Sequence, residues 1–241
     1  MTDHEPQPGP CKQPPARALD VVLDDRHAQA VYKQDRRSKV WLTPGTGDDP
    51  RAVVVKRFEY SPIRQRLAKM LGVHPAQREL RANRWLAAKG IAVAPILANG
   101  CQRAGLGEKL WLATPVRGRS LQCLLREETP MPRSRRLAVI ESVGRLAGQL
   151  LRGGVFFKDL KTSNILIDGA SRAWLIDAGS ARPMVLGGRA DRMLTMLEKT
   201  AARDGARAVD RVRCLRVIWR EAGRGPGYQA VARAIARRLL Q

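Results

Sequence analysis

The 241 residues carry a formal charge of +22, are 44% apolar, and include three histidines and four cysteines. That apolar content sustains a core in one large domain or two smaller lobes, and no apolar run approaches the ~20 residues of a membrane-spanning helix. Cys11, Cys101, Cys123 and Cys214 form no CxxC pair, which argues against a zinc site and reads as reduced thiols in a cytoplasmic protein.

In chain order, residues 1–17 are polar and proline-rich, the pattern of a disordered leader without a signal sequence. Arg51-Ala52-Val53-Val54-Val55-Lys56-Arg57-Phe58 reads as a buried strand ending near Lys56. Ser61-Pro62 starts a helix to about Leu71, with a capping hydroxyl and proline at the first helical position. Pro75 opens a second, to about Lys89, stopped by Gly90. Ala76, Leu80, Leu86 and Ala87 mark its apolar side, and Glu79 falls in line with Asn83 and Leu86. An inward glutamate requires a cation, and Lys56 is the candidate; local pairing with Arg78, Arg81 or Asn83 is the alternative. Residues 109–116 form a strand running into an extended connector, whose backbone from Ala113 to Val116 is suited to an adenine edge. A long helix spans Arg133 to Arg152.

The densest chemistry follows in Asp159-Leu160-Lys161-Thr162-Ser163-Asn164 and Ile176-Asp177-Ala178-Gly179. Ile165-Leu166-Ile167 and Trp174-Leu175-Ile176 are strand-type runs separated by turn formers. Pairing Ile165 with Ile176 sets Asn164 opposite Asp177, beside Asp159 and Lys161. An amide oxygen and a carboxylate are hard ligands suited to Mg2+ that also binds substrate phosphates. Beyond Asp177 the chain is helical from about Arg189, with gaps near Gly205 and Gly223 to Gly227.

Lys56, Glu79, Asp159 through Asn164 and Asp177-Ala178-Gly179 resemble, in order and rough spacing, the protein kinase-like fold. Within it the chain is most similar to bacterial lipopolysaccharide core kinases acting on heptose or Kdo sugars. Val53-Val54-Val55-Lys56-Arg57-Phe58, Arg78-Glu79-Leu80 leading to Gly90 through Pro95, and Asp210 through Arg216 carry that similarity. The resemblance implies an α+β, bilobal fold: an antiparallel-sheet N-lobe over 18–115 and a reduced helical C-lobe over 116–241. It implies ATP and Mg2+, with Lys56, fixed by Glu79, on the α- and β-phosphates, Asp159 and Lys161 catalytic, and Asn164 and Asp177 on the metal. Departures are instructive. No GxGxxG precedes Lys56; Asp35-Arg36-Arg37-Ser38-Lys39-Val40-Trp41 stands there, and Gly45-Thr46-Gly47 reads as a hairpin turn. Phe157-Lys158 replaces His-Arg, Ala178 replaces the Phe of DFG, and no Ala-Pro-Glu follows. A small or lipid-linked sugar acceptor is the expectation, ahead of a Ser/Thr protein kinase or other small-molecule kinase and of a non-catalytic pseudokinase.

The +22 charge fits a solvated arginine-rich surface or an anionic partner. Few aromatics, at 5%, and no RNP or zinc-finger signature disfavour nucleic acid. A glycolipid acceptor implies peripheral contact with the anionic inner face of the cell membrane, with helix 62–71 a candidate surface.

Overall fold

The structure, a computed structural model, describes residues 25–34, 38–44, 52–59, 68, 71, 74–104, 107–115, 118–184 and 188–223. The leader, Asp35–Arg37, Gly45–Gly47, nearly all of helix 62–71, Val116 and the chain beyond Gly223 lie outside the described residues. The chain divides into two compact units, Met1–Arg64 with Ile96–Val116, and Gln65–Pro95 with Arg117–Gln241.

The first unit is a five-stranded antiparallel sheet in the order β1-β2-β3-β5-β4. Its strands are β1 (Ala30–Gln34), β2 (Ser38–Thr43), β3 (Val53–Phe58), β4 (Ala98–Ala104) and β5 (Gly107–Pro115). Alternation assigns the faces. Trp41, Val55, Ala113 and Ala98 lie in one cross-strand row, and with Trp111 they build the unit's core. Lys56, one residue on from Val55, pairs with Val40 and Leu112 and so belongs to the other face. β3 continues two residues past Lys56, to Phe58, and the Lys56 ammonium sits 5.1 Å from the Phe58 ring centroid. Gly100 lies opposite Trp111, where an added Cβ would come within 2.8 Å of the indole. The core face is rimmed by charge: Asp25 pairs with Lys39 and, at 3.5 Å, with Arg57, which also meets Glu59 at 2.8 Å.

In the second unit, α1 (Pro75–Ala88) has proline in its first turn, and its N-cap is His74, whose Nδ1 accepts from the Ala76 N–H at 3.1 Å. Gly90, at φ +70°, ends it. Ala76, Ala82, Asn83 and Leu86 are its buried residues, so the stripe centres nearer Ala82 than the exposed Ala87. Asn83 donates from Nδ2 to the Ala94 carbonyl at 2.8 Å. Ala94 N–H then bonds the Leu175 carbonyl and Leu175 N–H the Ala92 carbonyl, fastening this segment to β9 (Ala173–Leu175).

The helical core consists of α2 (Leu121–Leu125), α3 (Arg133–Arg152), α4 (Gly188–Arg203) and α5 (Ala208–Ala222). The bounds of α3 are those expected from its periodicity. α3 and α5 run side by side at close range because Gly144 and Gly148 present no side chain. A Cβ there would stand 2.6 Å from Val217 Cβ and 2.4 Å from Glu221 Cβ. Leu146, Ala147, Leu150 and Leu151 turn the rest of α3 into the main core with Phe156, Phe157 and Ile218.

Candidate active site

The site is framed by two short ribbons. β7 (Val155–Phe157) enters it and β10 (Ala181–Pro183) leaves it, paired antiparallel with Ala181 opposite Phe157. Between them lie the loop carrying Asp159 and Lys161, a 3-10 turn over Thr162–Asn164, β8 (Ile165–Ile167), β9, and a second 3-10 turn over Ala178–Ser180. Apolar residues alternate inward through the loop: Phe157 and Leu160 are fully buried, whereas Lys158 is exposed and Asp159 and Lys161 are half-buried. Burying Leu160 between the two polar residues fixes the backbone while their heads stay accessible.

Hydrogen bonds then join the ends of this frame. Asn164 donates from Nδ2 to the Asp159 backbone carbonyl at 3.0 Å, so its side-chain oxygen, Oδ1, is the atom left for a ligand. The Ile176 N–H donates to the Asn164 carbonyl at 3.0 Å, and the Asp159 N–H to Ser180 Oγ at 3.4 Å. Asp177 is exposed and left-handed, at φ 61° and ψ 42°, a conformation that costs on the order of 1 kcal/mol for a residue with a Cβ and that aspartate tolerates better than most. It turns the chain out of the β9 direction into the Ala178–Ser180 turn. Glu79 is half-buried on α1 beside this turn: an added Cβ on Gly179 would lie 3.6 Å from Glu79 Cβ. Its neighbour Arg78 donates to the Gly179 carbonyl at 3.4 Å.

One sequence expectation is corrected. The hairpin pairs Ile165 with Leu175, Leu166 with Trp174 and Ile167 with Ala173, one residue away from the expected register. Asn164 therefore faces Ile176, and Asp177 lies one residue beyond the pairing. The turn dictates this. Asp168 and Arg172 close a three-residue loop, with the Asp168 N–H on the Arg172 carbonyl at 3.0 Å and Ser171 left-handed at φ 62°. The observed register also matches buried with buried residues, Ile165 with Leu175 and Ile167 with Ala173. Asp168 is consumed by the turn. Its carboxylate accepts from the Arg172 N–H at 2.8 Å and from Trp174 Nε1 at 3.1 Å. Burial pushes its pKa up, but these bonds and the Arg172 charge outweigh it and hold the carboxyl below the usual range.

The second unit thus gathers Asp159, Lys161, Asn164, Asp177 and Glu79, while Lys56 and Ala113 belong to the first. Ala113 is buried in β5 between two strands, and its carbonyl accepts from the Leu97 N–H at 2.9 Å. Val116 lies outside the described residues. An amide oxygen and one carboxylate fit a magnesium ion that takes its remaining ligands from phosphate and water.

Two residues of consequence escape a reading of the sequence. Gly118 has φ +138°, and a Cβ on it would fall 2.1 Å from the Ile167 carbonyl oxygen, so only glycine lets this segment lie against β8. Asp204, in the corner after α4, accepts the Thr162 hydroxyl. The Asp204-Gly205 break between two helical patterns is the one signal that marks it.

A comparison with curated proteins finds none that matches the chain. The model of the Lipopolysaccharide kinase (Kdo/WaaP) family, by contrast, matches residues 28–217. That span takes in the sheet with Lys56, the helix with Glu79, both turns of the site and most of α5, and the chain belongs to this family of kinases.

Proposed function

We propose that this kinase transfers the γ-phosphate of ATP to a hydroxyl of a lipopolysaccharide core sugar or related glycolipid. The observation that carries the reading is the bonding of Asn164: its amide nitrogen is committed to the Asp159 carbonyl, which supports a ligating role for its oxygen next to the loop of the general base. Asp159 accepts the hydrogen bond of the acceptor hydroxyl, orients it toward phosphorus and takes its proton late. Lys161 neutralises charge on the γ-phosphate oxygens. Asn164 and Asp177 form the donor set for magnesium, which when bound supplies charge neutralisation on the phosphates. Lys56 holds the α- and β-phosphates, with Glu79 as its carboxylate partner, an assignment that rests on the sequence pattern. The adenine edge is met by backbone of residues 113–116, and the engaged Ala113 carbonyl shifts that role toward the later positions.

Among the described residues no helix is long and apolar enough to cross a membrane. The excess of lysine and arginine supports peripheral attraction to an anionic leaflet, at ~1 kcal/mol per basic residue near the surface. The test is incubation of the purified chain with labelled ATP, Mg2+ and lipopolysaccharide from cells lacking the protein. Label on the core sugar supports the reading; label on added peptide but none on lipopolysaccharide overturns it.

A further inference from the structure

Asp204 is a carboxylate held out of water, its residue only 2% exposed, in the corner between α4 and α5. Four side chains converge on it. Arg126 donates from Nε at 3.0 Å and Nη2 at 2.6 Å, Gln122 from Nε2 at 3.3 and 3.4 Å, and Arg203 from Nε at 3.2 Å and Nη2 at 3.4 Å. The fourth is the hydroxyl of Thr162, which is itself fully buried. The Thr162 N–H is taken by Thr200 Oγ1 at 3.3 Å, so the last turn of α4 and the corner after it grip this residue at backbone and side chain respectively. Thr162 stands between Lys161 and Asn164, and the Asn164 N–H returns to the Lys161 carbonyl at 2.9 Å. The opposite branch reaches the same hairpin by another route: Gln122 and Arg126 belong to α2 and its C-cap, directly after the short strand β6 (Arg119–Ser120), and β6 pairs with β8.

A buried carboxylate requires this degree of bonding to remain charged, and it touches neither solvent nor a reacting group. We propose that Asp204 is a positioning residue for phosphoryl transfer, using the Thr162 hydroxyl to fix the chain between Lys161 and Asn164. Lys161 and the Asn164 amide then hold their placement relative to Asp159 without rearranging as charge develops. This inference rests on the phosphoryl-transfer reading. A purely architectural role, tying α2 to α4 through Arg126 and Gln122, predicts different behaviour when the two branches are cut separately.

Thr162→Val removes only the bond to the loop, Thr162→Ser retains it, and Arg126→Gln weakens only the bond to α2. With the full chain, ATP and lipopolysaccharide, Thr162→Val is expected to lower kcat about 10- to 100-fold while KM for ATP stays within about twofold, and Thr162→Ser to restore most of the loss. Arg126→Gln is expected to lower Tm and leave kcat near wild type. Unchanged kcat in Thr162→Val, or an equal loss in Arg126→Gln, overturns the proposal. Amide exchange supplies a readout independent of turnover: Thr162→Val should speed exchange at Leu160 and Asn164 and leave α5 unchanged. If Thr162→Val does not fold, failure of Thr162→Ser to retain both kcat and that protection overturns the proposal. If wild-type protein phosphorylates no acceptor, the functional reading fails, whereas unchanged exchange at those amides sinks the positioning role alone.

Discussion

The two units hold their candidate functional residues by different means. In the second, Asp159, Asn164 and the turn after Asp177 are linked by specific hydrogen bonds, and beneath them Thr162 is anchored to a buried, fully bonded carboxylate. In the first, Lys56 rides on a sheet whose core is a small cluster of Trp41, Val55, Trp111 and Ala113. The side chains of that core are matched to gaps, as Trp111 is to Gly100, and the charged pairs of Asp25, Lys39, Arg57 and Glu59 lie at its rim. Directional bonds locate atoms more narrowly than apolar contact does, because their energy falls steeply with angle. The contrast suits the proposed chemistry: groups assigned there to the transferring phosphoryl require a placement that a lysine proposed to reach the α- and β-phosphates on a flexible stem does not.

The largest effects are expected at the two residues proposed to hold magnesium. Asn164→Ala and Asp177→Ala should each reduce kcat by ~10²–10³, with the fold retained by circular dichroism; turnover within threefold of wild type removes either from the site. Next comes Gly118→Ala. Its methyl collides with the Ile167 backbone, which cannot rotate away, so unfolding free energy should fall by ~3 kcal/mol or more in denaturant titration. Gly148→Ala pushes α3 off α5 and should cost ~1–3 kcal/mol. In the first unit, Gly100→Ala presses on the buried Trp111 indole, a side chain rather than backbone, so a loss of ~1–3 kcal/mol is expected, and a cost equal to that of Gly118→Ala would erase the distinction drawn between the units.

Acid sharpens the same contrast. Burial pushes the Asp204 carboxyl up, but bonds from Thr162, Arg203, Arg126 and Gln122 outweigh it and hold its pKa well below the usual carboxylate range. Its stabilisation is therefore complete at neutral pH, begins to fall near pH 4, the value of an unfolded aspartate, and is lost progressively toward the much lower pH at which the folded carboxylate itself protonates. Amide exchange followed from pH 6 to about pH 3 should show Thr162–Asn164 still protected relative to the unfolded chain, because the folded carboxylate stays charged there; loss of that protection near pH 4 would contradict the assignment. Thiol labelling gives the gentlest test. Burial first, then Glu198 and Glu141, push the Cys214 thiol up to about 12, so at pH 8 it should label far more slowly than the exposed Cys101 and Cys123.

Much of this arrangement is legible in the sequence, and the illegible parts share a cause. The spacing of Asp159, Lys161 and Asn164 is local, and the apolar residues between them dictate which side chains face out. The bounds of α3 follow from period and from Gly153-Gly154. The hairpin register does not follow, because several turn formers lie between the strands and only the structure shows that Asp168 and Arg172 close the loop around a left-handed Ser171. Asp204 is hidden for a plainer reason: Thr162 lies 42 residues away and Gln122 82. No periodicity connects such distant partners. The polar ties that distinguish the second unit are tertiary, whereas the side chains they position are written in a short motif.

The central claim is that Asp159 orients a sugar hydroxyl for phosphoryl transfer. It is tested most directly by comparing wild type and Asp159→Ala for transfer of labelled phosphate to lipopolysaccharide, with ATP binding measured alongside. Wild type is expected to add one phosphate to the core sugar, and the variant none while it still binds ATP. Normal phosphorylation by Asp159→Ala would contradict it.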